Sequence, residues 1–261
     1  MVTKDGGSKR TLQSETRERD EELLNTVLRS FEVARQNLRD TQLSPDTVLV
    51  YYYEAAALAL RRDTSKTGRA DREDDAKRYF EIASTLGNVL QAFQSKLLDL
   101  SDEDDKFIVL SFHARYNLIV LEHRQVESQS PGQAAAPRLR TVREQYLDLS
   151  KQITDLISNL HSLHNSLSQR LSGSLSGVRI AAACGALSCD YFLLREAAPA
   201  LSVSEKQERV KEISAASAQL RTALENTRSA IKKFGRADNQ NPLLFSIATS
   251  IANIEKQSTK V

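Results

Sequence analysis

Residues 139 to 167, LRTVREQYLDLSKQITDLISNLHSLHNSL, carry the strongest pattern in the chain. Within them an apolar or aromatic residue returns at alternating steps of three and four: Leu139, Val142, Tyr146, Leu149, Ile153, Leu156, Leu160, Leu163 and Leu167. A repeat of about 3.5 residues sets all nine side chains on one narrow stripe of a helix, and such a stripe leaves water only by meeting a second helix. The seam is therefore either an internal core or an interface with another chain, and its pattern alone fits both.

The rest of the sequence agrees with a helical protein. Nine Gly and five Pro in 261 residues are few, and they fall mainly in connections. Upstream, Leu24, Val27, Leu28, Phe31, Ala34 and Leu38 give one helix, and Ser44-Pro45 opens a second through VLVYYYEAAALAL. Three tyrosines in succession there cannot share one face. Ala76, Tyr79, Ala83, Leu86, Leu90, Phe93, Leu97 and Leu100 make a third helix. Ser101 before Asp102-Glu103-Asp104 caps a fourth, where acids complement exposed N–H groups and the helix dipole. QVESQSPGQAAAP, at 125–137, reads as a linker. Beyond it the seam helix is expected to reach about Ser172, GSLSG (173–177) to break or bend the chain, and a sixth helix to run to Pro199. A seventh, capped by Ser204, carries Val210, Ile213, Ala216, Leu220 and Leu224, and is expected to face the seam as its antiparallel partner. An eighth follows Asn241-Pro242 with Leu244, Ile247, Ile251 and Ile254.

The expected fold is all-α: an antiparallel helical bundle with a long heptad-patterned, coiled-coil-like hairpin in the C-terminal half. The expected organisation is a flexible segment 1–13, an N-terminal helical domain 14–124 of about four helices, a linker 125–137 and a C-terminal hairpin or bundle 138–261.

Helix three contains Ala76, Phe80 and Ala83, an A-x3-F-x2-A pattern, and helix one has a looser echo in Val27, Phe31 and Ala34. Over residues 20 to 122 this resembles the tetratricopeptide repeat. The resemblance implies helical hairpins in which small residues admit close approach, an aromatic fills the gap, and a concave face grips peptides.

Chemical signatures are sparse. Cys184 and Cys189 are too few for a disulfide framework and lie five apart, so they read as buried free thiols. His161 and His164 have no HExxH pattern around them, and Asp102 to Asp105 lack the glycine and spaced ligands of an EF-hand. GSLSG has Leu175 where a nucleophile elbow needs serine. No Walker or dinucleotide fingerprint appears. The reading is therefore non-enzymatic, with no metal and no cofactor. Ser101 before acids suits an acidophilic kinase, and Ser130 before Pro131 a proline-directed one; both are candidate phosphorylation sites.

Net charge is +2, unevenly placed: residues 1–130 hold 19 basic and 23 acidic side chains, and 131–261 hold 17 and 11. The first twenty residues lack the apolar core of a secretory signal. The longest small and apolar run, Ile180 to Cys189, is ten residues, well short of the ~20 of a bilayer crossing. The expectation is an intracellular protein, cytoplasmic or nuclear, with no membrane-spanning segment.

The expected function is that of a helical adaptor or scaffold subunit that mediates protein–protein interaction in a multiprotein complex, or that self-associates through its seams. Two alternatives stand beside it: a helical nucleoprotein or capsid-like protein binding nucleic acid through its basic C-terminal half, and an enzyme with a dispersed site.

Overall fold

The computed structural model describes residues 22–23, 25–34, 36, 45–60, 74–84, 104–128, 135–163, 165–233 and 242–260, and every regular element among them is a helix. The protein is all-α, a bundle of helices packed on one another. The chain divides into two compact units, residues 1–99 and 100–261.

The first unit contains α1 (described at 22–23, 25–34 and 36), α2 (Pro45–Leu60) and α3 (74–84). Pro45 opens α2, where its missing N–H costs no hydrogen bond. The three tyrosines diverge as helical geometry requires: Tyr51 meets Tyr79, Tyr52 meets Phe80 edge-on, and Tyr53 stacks with Phe31 at 6.4 Å. Ala76, Phe80 and Ala83 are all buried, so the small–aromatic–small face of α3 is the one turned inward. The other apolar positions expected to continue α3, from Leu86 to Leu100, and the segment 1–13 lie outside the described residues.

The second unit comprises α4 (Asp104–Ser128), α5 (Ala135–Leu163), α6 (Asn165–Ala197), a short 3-10 turn (Ala198–Ala200), α7 (Val203–Lys233) and α8 (Pro242–Ser258). Its axis is α6. One side of α6 (Leu171, Leu175, Val178, Ala182, Ala186, Cys189) joins a core with α4 and α5. The other side (Ile180, Cys184, Leu187, Tyr191, Leu194) joins a second core with Ile213 and Leu224 of α7 and with Leu244, Ile247, Ile251 and Ile254 of α8. A helix apolar on both sides belongs between two layers. Arg143 meets Asp190 while Tyr146 meets Gly185, and Arg221 meets Glu255 while Arg228 reaches the Leu244 carbonyl, so α5 with α6, and α7 with α8, run antiparallel.

Several expectations change. The boundary falls at 99/100 and not at 125–137, because Ile108, Phe112, Ile119 and Val126 of α4 belong to the same core as the seam. Helix α4 reaches Ser128 and α5 starts at Ala135, so much of the supposed linker is helical. The seam helix ends at Leu163, and α6 runs through GSLSG without a break: serine and leucine neighbours keep helical geometry, and a glycine inside a long packed helix costs only about 1 kcal/mol. The seam's partner is α6 and not α7, whose apolar face is taken by the opposite side of α6 and by α8. Helix α7 is capped two residues earlier than expected, by Ser202.

By length and composition Leu171–Ala200 is apolar enough to cross a membrane, and most of it is buried inside the protein. Counting unbroken runs missed this stretch because Arg179 and Asp190 interrupt it. Its two faces meet other helices, which is how a core helix earns the same composition.

Candidate functional site

Leu139, Val142, Tyr146, Leu149 and Ile153 are all buried against α4 and α6. Leu156 is half-buried on the same core. The side chains of Leu160, Leu163 and Leu167 lie outside the described residues, and Leu167 belongs to the backbone of α6, not α5. Ser101, Ser130 and His164, and the side chain of His161, also lie outside the described residues. Each buried apolar seam residue contributes roughly 1.5 to 3 kcal/mol of transfer free energy, so this half of the seam holds the unit together.

At the middle of the seam the three helices share a polar knot. Gly185 of α6 lets Tyr146 of α5 approach so closely that a Cβ there would lie 2.6 to 2.7 Å from the ring. The Tyr146 hydroxyl reaches His123 Nδ1 of α4 at 3.4 Å. His123 Nε2 faces Cys189 Sγ at 3.6 Å and Glu127 Oε1 at 3.4 Å. Phe192 meets the imidazole edge-on and carries Arg195 over its own ring. Burial governs the chemistry here. It holds the His123 imidazole down to about 4, pushes the Cys189 thiol up to about 12 and raises both the Tyr146 hydroxyl and the Glu127 carboxyl. Cys184, also free and buried, is pushed up to about 11. At neutral pH these are a neutral imidazole and protonated thiols, which hydrogen-bond helices together but supply no thiolate nucleophile. Among the described residues no group of three His, Cys, Asp or Glu is arranged to hold a metal ion.

Among the open features of the second unit is a cleft of about 960 Å³ lined by residues of α5, α6 and α7 and by Ala200 of the 3-10 turn. Leu193, Leu201 and Ala216 contribute aliphatic lining, over Leu187, Leu194 and Ile213 of the buried core. Arg140, Arg143 and Arg209 line it together with Asp190, Glu196 and Glu212. Four of those charges are paired: Arg143 Nε donates to Asp190 Oδ1 at 2.5 Å, and Arg209 meets Glu212 at 3.5 Å. Both pairs are more than one-third exposed, so each contributes only ~0 to 1 kcal/mol and leaves its side chains free to rearrange. Glu196 differs. Its Oε2 is buried and has no hydrogen-bond partner among the described residues.

Sequence reasoning named the seam and missed the cleft, because Arg140, Glu196 and Ile213 come from three helices and share no spacing. A partial signal existed: Arg140 and Arg143 flank Leu139 and Val142 one turn apart, where residues beside a heptad seam border the groove along it. Compared with known proteins, the chain matches no family model, no curated protein and no solved structure.

Proposed function

We propose that the protein is a non-enzymatic helical adaptor or scaffold subunit acting through protein–protein contacts. The observation that carries this reading is the α5–α6–α7 cleft. It is a groove lined by aliphatic residues and by charges of both signs, most of them in exposed pairs, a mixture shared with surfaces that accept another polypeptide. The buried seam bears on the same reading. A rigid helical frame fixed by its own core presents such a groove ready-formed, so little ordering opposes binding. In the first unit, the buried small–aromatic–small face of α3 resembles the packing face of tetratricopeptide-like hairpins, which supports a helical scaffold there.

Affinity capture of the full-length tagged chain, followed by reconstitution of each retained protein with the purified chain, tests the proposal by sedimentation velocity. An adaptor forms a complex of fixed stoichiometry with at least one of them. A chain that sediments alone with every candidate contradicts the reading.

A further inference from the structure

A second hollow of the same unit differs from the cleft in its charge. About 410 Å³ in volume, it lies where the end of α6, the start of α7 and the end of α8 come together, and Arg195, Lys206 and Lys260 line it with no carboxylate among the lining residues. We infer that this pocket binds a phosphate group, as a free phosphate compound or as the phosphomonoester head of a lipid. The inference stands apart from the adaptor reading and from the cleft.

A single surface cation is a solvated charge and selects nothing. Three that converge from three helices on one concavity add their fields where an anion sits, and the walls keep part of the screening water away. Arg195 and Lys260 are exposed, and Lys206 is half-buried. None of the three is neutralised by a neighbour: their side chains make no hydrogen bond or ion pair among the described residues. Glu205, next to Lys206, turns back to Ser202, accepting from its N–H at 2.8 Å and from its hydroxyl at 2.6 Å, while Glu127, which feels Arg195 through space, belongs to the His123 knot. Neither lines the pocket. Arg195 is also positioned, since its guanidinium lies 4.7 Å from the Phe192 ring centroid and stacking leaves the N–H edge for a ligand.

Uncharged donors complete the set. Tyr191 is only 6% exposed, yet it lines the pocket and its hydroxyl has no hydrogen-bond partner among the described residues; the Gln257 amide, also in the lining, has none either. A buried tyrosine ordinarily finds a partner for its hydroxyl, and an anionic oxygen in the pocket supplies one. A phosphomonoester carries a charge of about −1.5 to −2 at neutral pH on three acceptor oxygens, which matches three cations and two neutral donors. A carboxylate brings one charge and two oxygens, and matches them less well.

The test is an NMR titration of the ¹⁵N-labelled full-length protein with sodium phosphate at neutral pH, with sodium chloride adjusted to hold ionic strength constant so that screening does not change. The amide signals of Lys206, Gln257 and Lys260 are expected to move together and to reach half-effect near about 1 mM, and acetate to act at least about tenfold more weakly. Lys206→Gln weakens phosphate at least about fivefold and Tyr191→Phe about twofold or more, whereas Lys211→Gln, which removes an exposed α7 charge outside the pocket, changes it by less than about twofold. Unchanged signals in the rest of the unit confirm that each variant folds. Failure to saturate by about 20 mM phosphate overturns the site. So does equal binding of acetate, or an equal loss in Lys211→Gln, which marks general attraction to a basic surface. Cosedimentation with phosphatidylcholine vesicles then assigns the source of the phosphate. Retention by vesicles carrying phosphatidic acid but not by an equal charge of phosphatidylserine, lost in Lys206→Gln, makes the ligand a lipid head group; saturable phosphate binding without vesicle retention makes it a soluble phosphate compound.

Discussion

Gly185 and Gly173 lie twelve residues apart on the same helix and are expected to respond oppositely to a methyl group. At Gly185 the new Cβ meets the Tyr146 ring at under 3 Å, and the ring is wedged between Tyr116 and His123. Gly185→Ala should destabilise the unit by about 1 to 3 kcal/mol through overpacking, outweighing the helix-propensity gain. At Gly173 nothing lies within 4 Å, so Gly173→Ala should stabilise by ~0.5 to 1 kcal/mol. Urea denaturation of the two variants reads both signs. His123 supplies a pH dependence. Its folded-state value lies near 4 against an ordinary 6.5, so between those limits the unfolded chain binds the proton and the folded one does not. Stability from this group is full above pH 6.5, declines as pH falls toward 4 and then levels, by on the order of 2 to 3 kcal/mol. Burial lowers His113 as well and adds in the same direction. Unfolding midpoints measured from pH 7.5 to 4 should show this slope, and His123→Gln should flatten it. A slope unchanged in that variant assigns the effect elsewhere.

Helices differ in how plainly the sequence announces them. Helix α5 has one apolar stripe over polar flanks, and its period is visible by counting. Helix α6 is apolar on two sides, so its period blurs; the glycines and serines of GSLSG then resemble a break, although the helix continues through them. The same two-sidedness explains why the seam's partner was misassigned. Helix α7 has a clear single stripe and invites pairing with α5, yet only a helix with two apolar faces can serve both layers. Local chemistry was more readable at Pro45 than at Ser202. There the Ser202 hydroxyl accepts from the Glu205 N–H at 3.3 Å while the Glu205 carboxylate accepts from the Ser202 N–H at 2.8 Å, a reciprocal capping box that holds the Glu205 carboxyl below its ordinary value. The S-x-x-E spacing was present in the sequence and outcompeted Ser204. Ser202→Ala should cost about 1 kcal/mol and speed amide exchange in the first turn of α7, with the seam amides unaffected.

The second unit is built as two layers about one buried axis, and the seam that first suggested an interface is spent on that axis. Ile153, fully buried between α4, α5 and α6, is the position where this matters most: Ile153→Ala should lower stability by ~2 to 5 kcal/mol, read in urea, without changing the sedimentation coefficient of the folded protein. On the proposed adaptor reading, recognition falls to the cleft beside α5, assembled from residues too far apart in sequence to show a spacing. Whether the seam is internal is tested by hydrogen exchange of the segment Leu139–Ile153 across a dilution of about a hundredfold. A core within one chain gives protection independent of concentration, since no second molecule takes part in closing it. Protection that falls away on dilution shows the seam to be an interface between chains and contradicts the structure described for this unit.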